Sequence, residues 1–446
     1  MAFTYQDYQS AADKHQFILE AVRAHKSSPA FRQALEAVNY FRGQNTEVAR
    51  KTIARASVTE SRDENGMRRM RAVPREVPGN RVGSGFLHRF VCQQNQFLLQ
   101  NGVQLEGALK ARLGVGFDRQ LQRLGERALL QGVAWGFFNG DHLEVIDAAR
   151  DWLSGFVPFM DEMTGRIRAG AQFWQLDTDR PMYVRLFEED GVTMLRADKQ
   201  SGVTVVSDKR AYRVLRRTDA LGESAVEANW PALPVIPLYA NDEHMSEFTP
   251  AIRAKIDAYD RILSDFADNL DRANDVYWVL NNFGGTADDV AEMLAEISRI
   301  KAVANLADGT GASATAEPHT IEVPYQARQA ALKILEKALY ADYMALDVSA
   351  LTGGSLTNVA IRAACANMNL KADRYEWEVF AFVQQVLALL GVHTDAIRFQ
   401  RQTIANELET VQTIYLMRQD IDRATALRLN PLLQPEEVDA LLRESA

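Results

Sequence analysis

Cysteine is nearly absent. The 446 residues contain 2, Cys92 and Cys365. They stand far apart and match no C-x-x-C spacing, which leaves no disulfide framework and no Cys-ligated zinc motif. Reduced thiols of a protein assembled in the cytoplasm are the expectation. Long apolar runs are missing too: none approaches ~18 residues, and residues 1–26 hold no signal-type apolar stretch. Neither membrane spanning nor secretion is expected. Nor is there an excess of positive charge. With 50 Lys+Arg against 59 Asp+Glu, the formal net charge is −9, whereas a sequence-reading DNA binder usually carries a basic face.

Catalytic signatures are equally scarce. Gly353-Gly354-Ser355 invites a phosphate-loop reading, but the G-x-x-x-x-G-K-[ST] pattern that cradles phosphates is not there. The seven histidines (His15, His25, His88, His142, His244, His319, His393) are scattered without H-E-x-x-H or other paired spacing, so none reads as a metal ligand. No G-x-S-x-G marks a hydrolase nucleophile. No cofactor, metal or enzymatic activity is expected.

What is present is an ample globular composition, 47% hydrophobic and 24% charged, sufficient for a core without staples. Residues 5–42 carry a helical pattern, and so do 86–99 and 117–131. Between them, residues 50–81 hold Arg50, Lys51, Arg55, Arg62, Arg68, Arg69, Arg71, Arg75 and Arg81; this basic segment reads as a solvated loop, with a phosphate contact as the lesser alternative. The period then changes to that of strands. Asn139-Gly140 and Asp190-Gly191 predict two hairpins with type I′ turns, because both dipeptides tolerate positive φ. Strands at 203–206 and 212–215 continue the region until Pro231, Pro234 and Pro237 close it.

Beyond Asn241 the helical period returns. Ile252, Ile256, Tyr259, Leu263, Phe266, Leu270, Ala273, Tyr277 and Leu280 step by four and three, predicting one long helix with a heptad-like stripe. An insert at 281–324, a helix at 325–346, the turn-rich Thr352-Gly353-Gly354-Ser355, a long helix at 359–390 and three short helices at 404–442 follow. Asp257, Asp260, Asp268, Asp271 and Asp275, with Asp265 beside them, fall near one face of the first long helix. Carboxylates at such spacing suit a two-metal site, so a metal-dependent nucleic-acid-processing enzyme using residues 257–275 is the alternative. They spread over about five turns, however, and Arg253, Arg261 and Arg272 interleave. A solvated acidic face opposite the apolar stripe accounts for them better.

In this order the chain resembles the portal proteins of long-tailed bacteriophages, in the branch with a compact clip. Val38-Asn39-Tyr40-Phe41-Arg42-Gly43-Gln44 is similar to an early element of that family, and Asn80-Arg81-Val82 through Phe97-Leu98-Leu99 to the helix after it. The most specific match is Pro234-Val235-Ile236-Pro237 followed by Ser246 and Ile256-Asp257-Ala258-Tyr259-Asp260-Arg261-Ile262-Leu263-Ser264-Asp265. Leu351–Asn358 leading to Val359-Ala360-Ile361 and Leu370-Lys371-Ala372 comes next, with Thr357-Asn358 where the family often has Ser-Gly. Phe399, Arg401, Asn406, Glu407 and Glu409 resemble the closing segment.

The resemblance implies an α+β portal fold. It has a mixed α/β wing (1–241, completed by a long helix and closing strand at 359–402) and stem helices at 246–280 and 325–346. A small α/β clip would span 281–324, a tunnel loop 347–358 and a helical crown 403–446. It further implies a homo-oligomeric ring, twelve-fold in the virion, at one capsid vertex, assembled in the host cytoplasm. Double-stranded DNA would pass through it without sequence specificity. The implied partners are a terminase motor, a head-completion adaptor, and the major capsid and scaffolding proteins. Leu351, Thr352, Gly353, Gly354, Ser355, Leu356 and Thr357 would line the narrowest part of the channel. Asp257, Asp260, Asp268, Asp271, Asp275, Arg328, Lys333 and Lys337 are the channel candidates of the stem. Geometry agrees at one point: twelve helices packed at ~9 Å make a ring about 34 Å across at their axes, leaving ~23 Å open after one helix thickness. Residues 246–280 carry seven acids against four bases, and the insert seven against two; an acidic wall avoids trapping phosphates.

Overall fold

The computed structural model describes residues 3–62, 68–198, 202–219, 222–273, 277–281, 315–319, 325–351, 357–401, 407–417, 420–430, 432–433, 437–438 and 441–442. The chain divides into two compact units. One comprises Met1–Arg42, Gly85–Ile252 and Leu339–Ala446; the other comprises Gly43–Ser84 and Arg253–Ala338.

The first unit is built on a six-stranded antiparallel meander. Ala149–Asp151, Ser154–Met160, Ile167–Gln175, Met182–Glu188, Gly191–Asp198 and Gly202–Arg210 lie side by side in chain order. Alternation sends their side chains to two different cores. Val157, Phe159, Ala171, Phe173, Val184 and Leu186 face the helices Lys14–Ser27 and Pro29–Phe41, packing on Ile18, Val22 and Phe31. Phe156 and Phe187 face the other way, onto Trp135, Phe137, Ile146 and Val235 of a three-stranded sheet ordered Val235–Tyr239, Val133–Phe138, Leu143–Asp147. Gly170 is required here: a Cβ would stand 2.2 Å from the Phe156 ring. Local signals start the helices. Thr4 and Asp7 form a capping box, Asp13 caps Lys14–Ser27, and Ser28 precedes Pro29 at the first turn.

Both hairpins form, but their turns differ from the expected type I′. Phe138 pairs with Leu143, so the first loop has four residues. Its Asn139 side chain accepts the N–H groups of Asp141 and His142, an Asx turn rather than two residues at positive φ. In the second, Gly191 already pairs with Glu188, which places Glu189-Asp190 in the loop and puts positive φ (148°) on Gly191 alone. The expected long helix at 359–390 is interrupted at Cys365 into Asn358–Ala364 and Ala366–Leu389. Met368, Ala372, Cys365 and Ile361 dock it on Phe97 and Leu346.

The second unit corrects two expectations. Residues 52–78 are a two-stranded antiparallel ribbon rather than a loop: Thr52–Arg62 pairs with Arg68–Pro78, from Thr52↔Pro78 to Arg62↔Arg68. Its β-branched Thr52, Ile53, Val58, Thr59, Val73 and Val77 favour strands, and the dense arginines hid that pattern. Both strands are edges, so Pro74 and Pro78 forfeit little. The long helix is also shorter than its stripe suggested. Pro250–Ala273 is helical, ~36 Å at ~1.5 Å per residue. Tyr277–Asn281 is instead a strand paired with Thr315–His319, as its Tyr, Trp and Val content favours. Most of the expected insert, and Thr352–Leu356, lie outside the described residues.

Candidate functional site

The centre of the acidic helix face does not look into solvent. Asp260 and Asp268 are 0% and 6% exposed, and Ser264 between them is fully buried. The expectation of channel-facing carboxylates is therefore wrong for these two. They hold the chain's own strap, residues 79–84, which runs antiparallel to the helix. Asn80 donates its N–H to Asp268 Oδ1 at 2.7 Å, Val82 to Ser264 Oγ at 3.0 Å and Ser84 to Asp260 Oδ1 at 2.9 Å. The spacing explains the ladder. Two extended residues advance ~6.7 Å and four helical residues ~6 Å, so alternate strap N–H groups meet successive helical turns. An extended segment without a sheet partner thus finds its hydrogen bonds in side chains, as buried backbone must.

Further contacts close the ladder at both ends. Lys51 Nζ lies 2.6 Å from Asp268 Oδ2 and 2.8 Å from Asp265 Oδ1, and the Asn80 side chain donates to Asp271 at 2.7 Å. At the other end Asn45 donates to Asp260 and to the Ser84 carbonyl. Gly79 permits the approach, because a Cβ there would meet Ile53 Cγ2 at 2.9 Å and Asp268 Oδ2 at 3.0 Å. The two carboxyls differ electrically. Burial pushes Asp260 above the usual carboxylate range, against the hydrogen bonds from Ser84 and Asn45. Burial also acts on Asp268, but the Lys51 ammonium and the Asn80 donors outweigh it and hold that carboxyl below its ordinary value.

Both oxygens of each carboxylate are engaged by the chain's own donors, which removes from the metal-enzyme alternative the ligands it needs. Among the described residues, no three His, Cys, Asp or Glu side chains gather around a metal-sized site. The other candidates scatter. Asp257 is half-buried, with Arg253 Nε 3.6 Å away; Asp271 is exposed apart from its Asn80 contact. Asp275 lies outside the described residues. Arg328 donates to the Asp265 carbonyl at 3.2 Å, while Lys333 and Lys337 are exposed. Leu351 ends a short 3-10 turn, Val348–Leu351. Thr352, Gly353, Gly354, Ser355 and Leu356 are undescribed, and exposed Thr357 caps Asn358–Ala364 by accepting the Ala360 N–H. The apolar stripe is left half-open within the chain: Ile256 is buried, Tyr259, Leu263 and Phe266 are half-buried, and Leu270 is exposed.

Sequence reading missed Asn45, Lys51, Asn80 and Ser84 as the partners of the acids. The available signal was the i, i+4, i+8 set Asp260, Ser264, Asp268, a polar row too regular for a solvated face carrying interleaved arginines.

The fold is therefore a mixed α+β scaffold whose charged helix serves its own architecture. The family model described as "Phage portal protein, SPP1 Gp6-like" matches residues 144–446, and the chain belongs to that family. It is similar to the portal protein of Clostridium phage phiCD119, 24% identical over 415 residues covering 88% of each chain. It is also similar to the portal protein of Bacillus phage SPP1, 27% identical over 232 residues, 48% of this chain and 44% of that one. Among solved structures, a chain from the virion of a native gene transfer agent particle overlaps 81% of this chain and 90% of its own length, with 13% identity and a TM-score of 0.40. Portal proteins are structural, capsid-associated components of the virion. No helix among the described residues is long and apolar enough to cross a membrane.

Proposed function

We propose that the chain forms a ring of about twelve subunits around a DNA channel at one capsid vertex. Double-stranded DNA is packaged and ejected through it. The ring first docks the terminase motor and then the head-completion adaptor and tail. The observation that carries this reading is the family match across residues 144–446. The half-open stripe Tyr259, Leu263, Phe266 and Leu270 supports it, since an apolar row left uncovered on a helix asks for a neighbouring helix. In this reading residues 250–273 and 325–343 are the stem and 281–324 the clip. Residues 351–357 form the collar at the narrowest point, and 403–446 the crown. Asp257, Asp271, Lys333 and Lys337 remain the stem groups open to the channel. Negative-stain microscopy of the purified chain tests it: rings with a central opening of ~23 Å are expected, and a uniform monomer at all concentrations would sink it. Replacing Gly353 and Gly354 together by Val should leave rings intact but slow DNA passage in a packaging assay, because valine resists backbone angles that a Gly-Gly pair permits.

A further inference from the structure

A second charged site lies in the first unit, where the helix Phe117–Gln131 meets the strand ends around Asp147. A cleft of about 360 Å³ opens there, lined by Arg123, Asp147, Arg150, Asp151, Trp174 and Leu176 among others. Its acids are already committed. Asp147 is ion-paired with Arg127 at 3.1 Å. Asp151 Oδ1 accepts the Leu153 N–H and the Ser154 hydroxyl, each at 2.8 Å. Its cations are not: Arg123 and Arg150 are exposed, and among the described residues neither makes a hydrogen bond or ion pair. Beneath it, Arg127 Nε and Asp147 Oδ1 are buried against each other as an ion pair. Burial pushes the Asp147 carboxyl up, against the pull of Arg127, Arg123, Arg150 and Arg42.

We infer that this cleft is a docking site for an acidic peptide segment of a partner protein, one carboxylate held by Arg123 and Arg150 and an adjacent apolar side chain resting on Leu176 and Trp174. Two guanidiniums lining one cleft beside a half-apolar wall are the chemistry that reads acidic motifs, because the planar fork matches a carboxylate and the wall excludes water from it. Leu176, 84% exposed, supplies a lip that a nucleic-acid backbone has no use for. One face of Trp174 is already stacked on Tyr183, with centroids 5.9 Å apart, which disfavours it as a platform for bases.

The test uses the full chain and a fluorescein-labelled dodecapeptide of glutamates carrying two leucines, followed by fluorescence anisotropy. The controls are the same peptide with Gln for every Glu, and an unlabelled single-stranded oligonucleotide as competitor. The wild-type chain is expected to bind the Glu peptide. Arg123→Glu with Arg150→Glu should weaken that binding by at least about tenfold, as should the Gln peptide. The double variant should keep the wild-type far-ultraviolet circular dichroism, although it melts somewhat lower because both guanidiniums favour the buried Asp147 carboxylate. The inference is overturned if the wild-type chain fails to bind, if the double variant or the Gln peptide binds equally well, or if the oligonucleotide displaces the peptide at equal charge concentration.

Discussion

The six-stranded sheet and the 79–84 strap are both extended backbone, yet opposite forces hold them. The sheet is paired strand to strand, and its central strands are buried on both faces by Phe156, Phe159, Phe173 and Phe187, each fully buried. The strap pairs with no strand; Asp260, Ser264 and Asp268 take the place of carbonyls. Burial of apolar area is insensitive to pH and weakly dependent on salt. Carboxylates that bind backbone N–H groups make stability depend on protonation. One molecule thus contains a region that withstands acid and another whose stability depends on which of its carboxyls are protonated.

The largest effect should come from the sheet. Phe156→Ala removes a ring at the centre of one core and leaves a cavity over Gly170, at a cost of about 3–5 kcal/mol, read as a lower midpoint in urea unfolding. Next is Asp268→Ala. It leaves the Asn80 N–H without its acceptor and Lys51 with Asp265 alone, at a cost of about 1–3 kcal/mol. Amide exchange at Asn80 and Val82 should accelerate strongly while the Phe173 strand keeps its protection. Equal acceleration in both would erase the contrast drawn above.

pH sharpens the comparison. Asp268 sits below its ordinary 3.8 in the folded chain, so its stabilisation is present above that value and is lost as pH falls through the lower folded pKa. Asp260 sits above 3.8, so the folded chain binds the extra proton, and stability contributed there declines as pH rises from 3.8 through the raised value. Asp260→Asn should therefore cost under about 1 kcal/mol at neutral pH and remove the second slope, whereas Asp268→Asn should remove the first. Titrating strap exchange rates against pH in the two variants distinguishes them, and identical profiles would refute the assignment. The smallest effect belongs to Arg253→Ala. Its pairing with Asp257 is a partly exposed i,i+4 contact at 3.6 Å, and a thermal melt should register only about 0.3–0.5 kcal/mol.

Much of this architecture was legible in sequence. Helices at 86–99 and 117–131 appear where the apolar period is 3.6, and the strand-rich region follows Gln131 because the period there is two. The family was legible as well, through an ordered set of short elements, and the match over residues 144–446 bears it out. Misreadings fell where charge density masked propensity. The arginines of residues 52–78 concealed a β ribbon, and the stripe through Tyr277 and Leu280 carried a helix reading past its end into a strand.

Amino-acid sequence alone determined which segments are amphipathic and where helices start at Thr4, Asp13 and Ser28, because those properties depend on neighbours within a few residues. Tertiary structure alone decided what the acidic helix faces. Asp260, Ser264 and Asp268 look solvated in one dimension because their partners Asn45, Lys51, Asn80, Val82 and Ser84 lie about 180 to 220 residues away, and hydrogen-bond donors carried by backbone leave no signature in side-chain sequence.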